Sequence, residues 1–285
     1  MNAVIKYPGS KWSIAKKICS LLPPHKSYLE PYFGSGAVFF KKPRSPIETV
    51  NDLDGDIVNL FCCIRDKTNE LAEAIYYTPY SRSVYDAACA IQHDIADPVE
   101  KALQFYIKMQ MGHGFRTNGE IVGWKNDIQG REKAYAAKDW AELPDKLLVF
   151  AERLRGVQIE HRPAVNLIER FNFENVLIYC DPPYMLNTRH GKQYAYEMTD
   201  ADHEELLFLL NRHRGPVILS GYHSELYDRE LRNWKMLELE AYSQVGSKKT
   251  EVLWMNFQIQ TEAEQMSLFP EDNSGMKCTG IKINE

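Results

Sequence analysis

The apolar run Val176–Cys180, which stops at Asp181-Pro182-Pro183-Tyr184, constrains the fold of this chain more than any other stretch. A short β-branched run that ends at a rigid polar turn predicts a buried parallel strand, which delivers the next side chains to the carboxyl edge of a sheet. In open α/β folds, ligands bind at that edge. The sequence therefore predicts an α/β protein with a ligand site at residues 181–184.

The turn at residues 181–184 presents only hydrogen-bond acceptors. Its two prolines fix the backbone and remove two N–H donors, which leaves the Asp181 carboxylate and the Pro182 carbonyl. Tyr184 adds a flat ring for stacking beside them. An acceptor pair next to an aromatic ring suits an amino group on a planar base.

A second motif runs from Tyr28 to Gly36, where a short strand leads into a glycine turn that opens a helix. Its glycines let the backbone approach a ligand. A strand ending at Asp52 follows, and the segment Lys6–Lys11 precedes the motif. In this order the segments resemble the S-adenosylmethionine-dependent DNA adenine-N6 methyltransferases of the Dam-like (D12 class) group, with the alpha-type motif order. The first element of that group is Pro-Gly-Gly-Lys, and the resemblance covers roughly residues 4–258.

Alternating strand and helix patterns, together with the resemblance, predict a doubly wound, mostly parallel seven-stranded sheet of the Rossmann-like methyltransferase type. The predicted strands are Tyr28–Glu30, Ile47–Asn51, Val157–Glu160, Val176–Cys180, Val217–Ser220, Lys235–Leu239 and Glu251–Gln258. The predicted helices around them are Ile14–Leu22, Ile57–Arg65, Val165–Arg170 and Ala201–Arg212. We expect Asp54 to cap the second of these helices and Asp200 the last.

More than a hundred residues separate the second and third predicted strands, whereas a crossover needs only about a dozen. We therefore predict an inserted, mainly helical lobe at 68–145, between two parts of a catalytic domain at 1–67 and 146–260. A polar tail at 261–285 follows. The helices predicted in and after the lobe are Tyr85–Gln92, Val99–Met111 and Trp140–Arg155.

Within the lobe, the Asn118-Gly119 pair predicts a hairpin at residues 114–124. The resemblance implies that target recognition falls in this interval, which makes Arg116, Asn118 and Lys125 candidate DNA contacts in a major groove. Because Asn-Gly hairpins are often plain connections, this role depends on the resemblance. A loop at 185–198, which carries Tyr194 as a further DNA candidate, is predicted either to order over DNA or to be a plain surface loop.

For catalysis, the resemblance implies that Asp181 and the Pro182 carbonyl each accept one hydrogen of the adenine amino group. The amino nitrogen is a poor nucleophile. The two acceptors are therefore expected to act by positioning this nitrogen and by stabilising the charge that develops on it, and no metal is expected. A base inside a duplex cannot reach such a site and must be flipped out, with Tyr184 replacing the lost stacking.

For the cofactor, S-adenosylmethionine, the resemblance assigns Tyr7 and Lys11 to the methionine half and Asp52 to the ribose hydroxyls. The other cofactor residues that it implies are Glu30, Phe33, Gly34, Gly36 and Asp181. Glu30 is expected to bond either Lys11 or the cofactor amine. Many members of the group carry an acid near the cofactor's adenine, but Arg162-Pro163-Ala164 stands there in this chain, so backbone contacts are the expected substitute.

The sequence leaves two alternatives to a DNA adenine-N6 methyltransferase. Cytosine-N4 enzymes tend to carry Ser in place of Asp181, which favours adenine without excluding cytosine. A catalytically silent DNA-binding or recruitment module is the second alternative, and the intact residues 181–184 and Lys11 argue against it.

The net charge of −5 does not indicate a nucleic-acid partner by itself, although residues 1–50 hold eight basic against two acidic residues. Cysteine spacing shows no disulfide framework, and no apolar run has transmembrane length, so we expect a reduced, cytoplasmic setting. We further expect a bacterial or phage-encoded, nucleoid-associated protein that is a monomer. In the tail, Gln265–Phe269 resembles the short peptide that docks onto the bacterial replication sliding clamp. Packing of these residues onto the protein's own surface is the alternative.

Overall fold

The computed structural model describes residues 3–91, 94–114, 116–126, 128, 135–189, 191–242 and 248–258. Within these ranges the strands form a single seven-stranded sheet in the order β3-β2-β1-β4-β5-β7-β6. The strands are β1 (Ser27–Glu30), β2 (Ile47–Asn51), β3 (Gln158–Glu160), β4 (Val176–Cys180), β5 (Val217–Gly221), β6 (Lys235–Tyr242) and β7 (Lys248–Met255). The predicted α/β sheet is confirmed, and the strand bounds differ from the prediction only at the ends.

Strands β1 to β5 pair in parallel, whereas β7 runs antiparallel to both β5 and β6. Every residue of β1 and β4 is buried, as expected for central parallel strands covered on both faces. The chain order reverses between β1 and β4. The carboxyl ends of these two strands therefore border the crevice where doubly wound sheets bind their ligands.

The helices between the strands lie close to their predicted positions. The larger difference concerns the residues that cap them. The helices are α1 (Ala15–Cys19), α2 (Ala37–Lys41), α3 (Gly55–Asp66), α4 (Thr68–Tyr76), α5 (Arg82–Ala90), α6 (Pro98–Met111), α7 (Ala136–Ala141), α8 (Leu143–Leu154), α9 (Ala164–Arg170), α10 (Asp200–Asn211) and α11 (Glu225–Glu230). Asp54 caps α3 by accepting from the Asp56 N–H, as predicted. The prediction for Asp200 is wrong, because Thr199 caps α10 in a capping box with Asp202.

No helix in the described ranges has the length and apolar character needed to cross a bilayer.

The described part of the long interval between β2 and β3 is mainly helical, as predicted, and it shares the hydrophobic core of the sheet. Tyr106 and Leu147 from this interval belong to the same buried cluster as Val50 of β2. The helix predicted at Trp140–Arg155 is two helices, since α8 begins at Leu143 with a proline in its first turn. A proline lacks the N–H that a continuous helix needs and favours a helix start instead.

A buried ion cluster attaches the end of this interval to the sheet. Glu48 of β2 accepts from Lys42 Nζ at 2.5 Å and from Arg153 Nη1, on α8, at 2.6 Å. All three side chains are buried. The cluster fixes α8 to the amino end of β2, at the opposite end of the strand from the ligand crevice.

The hairpin predicted at residues 114–124 is wrong for its described part. The segment is a loop closed at its base by one antiparallel bridge between Gly112 and Trp124, and no ladder extends from it. The physical reason is competition from another loop. The Thr117 N–H donates to the Gln193 carbonyl at 2.9 Å instead of bonding across a hairpin. Gly119 keeps the turn conformation, with φ at +82°.

Candidate active site

A cleft of about 220 Å³ opens at the carboxyl ends of β1, β2 and β4. It brings together most of the residues that sequence reasoning assigned to the cofactor and to catalysis. Those that line it are Tyr7, Lys11, Glu30, Phe33, Gly34, Asp52, Asp181 and Tyr194. Three further predicted residues, Gly36, Pro182 and Tyr184, lie outside its lining.

The glycine turn after β1 forms one wall of the cleft. Gly34 has φ of +48°, and a Cβ placed on it would lie 3.0 Å from the Tyr7 ring. Gly36, with φ of +64°, is the N-cap of α2, and a Cβ there would lie 2.6 Å from the Phe33 ring. A side chain at either position would be strained. Gly36 lies outside the lining of the cleft, and its role as a cofactor contact stays a prediction.

Asp52 follows β2 and is held in place by the backbone. Its Oδ2 accepts from the Gly34 N–H at 2.8 Å, and its Oδ1 accepts from the Asp54 N–H at 2.9 Å. Burial raises the pKa of Asp52 to about 6, although these two N–H groups favour the ionised form. The Asp52 carboxylate therefore has a fixed position at the cleft, where it can accept a hydrogen bond from a ligand hydroxyl.

Asn51, which sequence reasoning missed, ties together the loops that follow three strands. Its side-chain amide donates to the Pro31 carbonyl at 2.9 Å and to the Arg162 carbonyl at 3.0 Å, and it accepts from the Arg162 N–H at 2.9 Å. These bonds hold Pro163 and Ala164 at the wall of the cleft. A polar residue at the buried carboxyl end of a strand was the available signal.

Lys11 is a buried cation shared by two carboxylates. Its Nζ lies 2.9 Å from Asp181 Oδ1 and 3.6 Å from Glu251 Oε1. It also donates to the Gly9 carbonyl at 2.7 Å and lies 4.8 Å from the centroid of the Tyr184 ring. Burial alone would lower the pKa of Lys11, but attraction to the two carboxylates raises it above its usual value.

Glu30 does not pair with Lys11, so the first of the two expectations for it is wrong. Its carboxyl group instead accepts from the Tyr28 hydroxyl at 2.6 Å. Burial raises the pKa of Glu30 to about 8. Since the side chain lines the cleft, the cofactor amine stays as its predicted partner.

At the tetrapeptide, the Asp181 carboxylate accepts from the Tyr184 hydroxyl at 3.0 Å, at the same Oδ1 that pairs with Lys11. Burial raises the pKa of Asp181, while Lys11 opposes that shift. The Tyr184 ring packs edge-on against the Tyr222 ring, with 4.6 Å between centroids. Tyr184 itself does not line the main cleft.

Glu251 is the second residue that sequence reasoning missed. It accepts from the Ser220 hydroxyl at 2.7 Å and from the hydroxyl of Tyr184. A lone acid at the start of an otherwise apolar predicted strand was the signal that could have identified it.

The loop after the tetrapeptide covers part of the cleft. Arg189 bonds the Tyr184 carbonyl at 2.8 Å and forms an ion pair with Glu197, whose other oxygen accepts from the Tyr194 N–H at 3.0 Å. The Tyr194 ring lies 6.1 Å from the Tyr7 ring. Tyr194 is half-buried and lines the cleft, and its contact with DNA stays a prediction.

The other predicted DNA residues lie beside that covering loop. Arg116 is exposed and forms an ion pair with Glu120, and the Asn118 side chain donates to the Lys192 carbonyl at 3.0 Å. Lys125 is half-buried, and its N–H bonds the Met111 carbonyl at the base of the 112–124 loop. Contact of these residues with DNA stays a prediction.

Comparison with known proteins gives one family. Residues 7–245 match the model of the D12 class N6 adenine-specific DNA methyltransferases. A DNA adenine methylase of Salmonella typhi is 24% identical over 247 residues, covering 83% of this chain and 84% of the relative. The DNA adenine methylase of Escherichia coli K12 is 24% identical over 241 residues, covering 80% and 83%. A putative methylase structure from Haemophilus influenzae has a TM-score of 0.34 and 10% identity, over 89% of this chain and 92% of its own.

The family match over residues 7–245 gives the class of the protein, a methyltransferase. The extent of the family match then defines the group: this chain belongs to the D12 class N6 adenine-specific DNA methyltransferase family. It is an enzyme that methylates adenine in DNA.

Proposed function

We propose that the cleft binds S-adenosylmethionine and that residues 181–184 bind the amino group of an adenine flipped out of duplex DNA. The observation that carries this proposal is that Asp52 and Asp181, at the ends of β2 and β4, line one cleft. Adenosine recognition needs an acceptor for ribose hydroxyls, and methyl transfer needs an acceptor for the target amine. The two acids are suited to these two tasks.

The donors and acceptors of the cleft fit the cofactor along its length. Asp52 suits the ribose hydroxyls, and the Phe33 ring with Pro163 suits the flat adenine. Glu30 and the Lys11 segment lie where a charged methionine half requires polar partners. S-adenosylmethionine bound there supplies an electrophilic methyl group.

The chain's own contribution to catalysis is to orient and polarise the target amine. Asp181 and the Pro182 carbonyl accept its two hydrogens, so the nitrogen lone pair is directed toward the cofactor side of the cleft. Lys11 holds the Asp181 carboxylate at 2.9 Å, which fixes the acceptor before the substrate arrives. Such preorganised dipoles act on charge that develops in the transition state.

The helical interval at 68–145 is proposed to recognise the target sequence. Its 112–124 loop is bonded to the loop that covers the cleft, through Thr117 and Gln193. A reader of DNA sequence would therefore lie next to the site of chemistry. The Gln265–Phe269 segment proposed for the sliding clamp lies outside the described residues, and the cytoplasmic, monomeric state stays a prediction.

Arg116→Ala is expected to relax sequence selectivity at one base pair by about 1–3 kcal/mol, because a bidentate contact to guanine contributes that much discrimination. Methylation rates on a set of duplexes, each with one substituted base pair, measure the effect. Glu120→Ala is the matched control, since it removes only the partner of the Arg116 ion pair. An equal loss on every duplex would make Arg116 a phosphate contact and contradict base recognition.

Cofactor affinity is expected to fall as the pH drops through about 6, the pKa of Asp52. The ionised carboxylate is the form that accepts from ribose hydroxyls, so protonation should weaken binding about tenfold at pH 5 relative to pH 7. Calorimetric titration with S-adenosylmethionine between pH 5 and 7 measures this and stays below the pKa of Glu30, about 8. Asp52→Asn should bind weakly at every pH, and an unchanged pH dependence in that variant would rule out Asp52 as the cause.

Product analysis tests the proposed function as a whole. Duplex DNA is incubated with the protein and S-adenosylmethionine, digested to nucleosides and separated by mass. We expect N6-methyladenine. N4-methylcytosine would support the cytosine alternative, and the absence of both products, with no thermal shift on adding the cofactor, would support a silent binding module.

A further inference from the structure

Glu251 is a buried acid to which the proposed methyl transfer assigns no role. Glu251 is only 4% exposed, and the cation with which it pairs, Lys11, is shared with Asp181. Glu251 Oε1 accepts from the Ser220 hydroxyl at 2.7 Å and from the Tyr184 hydroxyl, and lies 3.6 Å from Lys11 Nζ. A buried carboxylate is costly unless its lone pairs are satisfied, so this arrangement requires an explanation.

The antiparallel direction of β7 places Glu251 at the catalytic edge. In the pairing with β5, Ser220 lies opposite Leu253 and Gly221 opposite Val252, so the start of β7 adjoins the carboxyl end of β5. A parallel strand would carry its first residues to the other edge of the sheet. Glu251 therefore reaches the tetrapeptide from β7, beside the carboxyl end of β5, and it does not line the cofactor cleft.

The hydroxyl of Tyr184 has one hydrogen and two carboxylate acceptors within reach. One is Asp181 Oδ1 at 3.0 Å, and the other is Glu251 Oε1. Bonds to an ionised acceptor are short and strong, and a bond to Glu251 leaves the lone pairs of Asp181 available to a substrate amine. Lys11 lies nearer to Asp181 than to Glu251, which leaves Glu251 the less neutralised of the two acceptors.

We propose that Glu251 is a positioning residue that anchors the Tyr184 hydroxyl, so that the ring is held for stacking and Asp181 is left free for the adenine amino group. The Tyr222 ring, edge-on at 4.6 Å, supports Tyr184 from another side, and Ser220 fixes the Glu251 carboxylate. This role rests on the proposed function of residues 181–184. It adds a member from a distant strand to the site.

A double-mutant cycle between Glu251→Gln and Tyr184→Phe tests the proposal. Each single change should slow single-turnover methyl transfer by about ten- to a hundredfold, since each weakens one hydrogen bond to a charged group. The double variant should be no slower than the slower single variant, because both act through the same bond. Cofactor affinity, measured by calorimetry, should stay within about twofold in all three.

Val252→Ala is the matched control. Val252, the next residue of β7, points to the opposite face of the sheet and packs in a hydrophobic cluster with Leu219 and Trp254, so its truncation should lower the melting temperature without a selective loss of rate. If Glu251→Gln does not fold, Ser220→Ala removes the bond that fixes Glu251, and a selective loss of rate there supports the same role.

Multiplicative effects of the two changes would overturn the proposal, as would an equal loss of cofactor affinity and rate. An unchanged rate in a folded Glu251→Gln would do so as well. All of these outcomes are read against a wild-type protein that methylates adenine. A wild type without that activity would contradict the proposed function instead, so the two failures are distinguishable.

Discussion

Replacing Asp181 by alanine is expected to abolish measurable methyl transfer, with a loss of at least about a hundred- to a thousandfold. Losses of that size follow removal of one preorganised polar contact from a catalytic site. The fold should survive, because Lys11 keeps the Gly9 carbonyl at 2.7 Å and Glu251 at 3.6 Å as partners. Single-turnover transfer to duplex DNA measures the loss, and calorimetry should show that cofactor binding is retained at least in part.

The chain offers a matched control for this change. Asp139 is also an acid paired with a lysine, Lys6, at 2.9 Å, but neither residue lines the cleft. Asp139→Ala should leave the rate of transfer within about twofold of the wild type. Normal turnover by Asp181→Ala on duplex DNA would refute the role of the carboxylate as acceptor.

Lys11→Met is expected to produce a second large effect, on stability and on rate together. It leaves the partly buried Asp181 and the buried Glu251 without their shared cation, and removal of one partner from a buried ion pair costs about 3–5 kcal/mol. The pKa of Asp181 should rise further and the group should take up a proton, because Lys11 is the charge that opposes the effect of burial. The proton would compete with the substrate amine for Asp181, so transfer should be lost at neutral pH.

The sign of the pH dependence distinguishes this explanation from a simple packing defect. Carboxyl groups whose pKa is raised in the folded state bind protons that the unfolded state releases, so stability falls as the pH rises. The difference in free energy of unfolding between Lys11→Met and wild type should therefore grow from pH 5 to pH 8. Chemical denaturation at both pH values measures it. A difference that is the same at both, or a similar loss in the control Lys6→Met, would contradict the account.

Sequence patterns that are local predicted this protein well. The strand Val176–Cys180 and the Asp54 cap were each predicted from residues that are neighbours in the sequence, and both have the predicted structure. The Asp200 cap failed for a reason that is local too. Thr199 and Asp202 form reciprocal bonds that a single acid cannot match.

Features that depend on distant contacts were predicted less well. The Asn118-Gly119 pair predicts a turn. Thr117, beside that turn, bonds to Gln193 and Ala195, and a local sequence pattern cannot indicate such contacts. Glu251 reached the tetrapeptide only because β7 is antiparallel, and strand direction is not written in the composition of a strand. The cleft was thus predictable from its motifs, whereas the contacts of Ser220 and Glu251 beside the tetrapeptide were not.

The account's central claim is tested most directly by the structure of a complex with S-adenosylhomocysteine and a duplex that carries the unmethylated target sequence. We predict that the target adenine lies outside the helix, with its N6 within hydrogen-bond distance of the Asp181 carboxylate and the Pro182 carbonyl. The ribose hydroxyls of the cofactor should lie within the same distance of Asp52. An adenine that stays stacked in the duplex, or a cofactor bound away from the cleft, would contradict the claim.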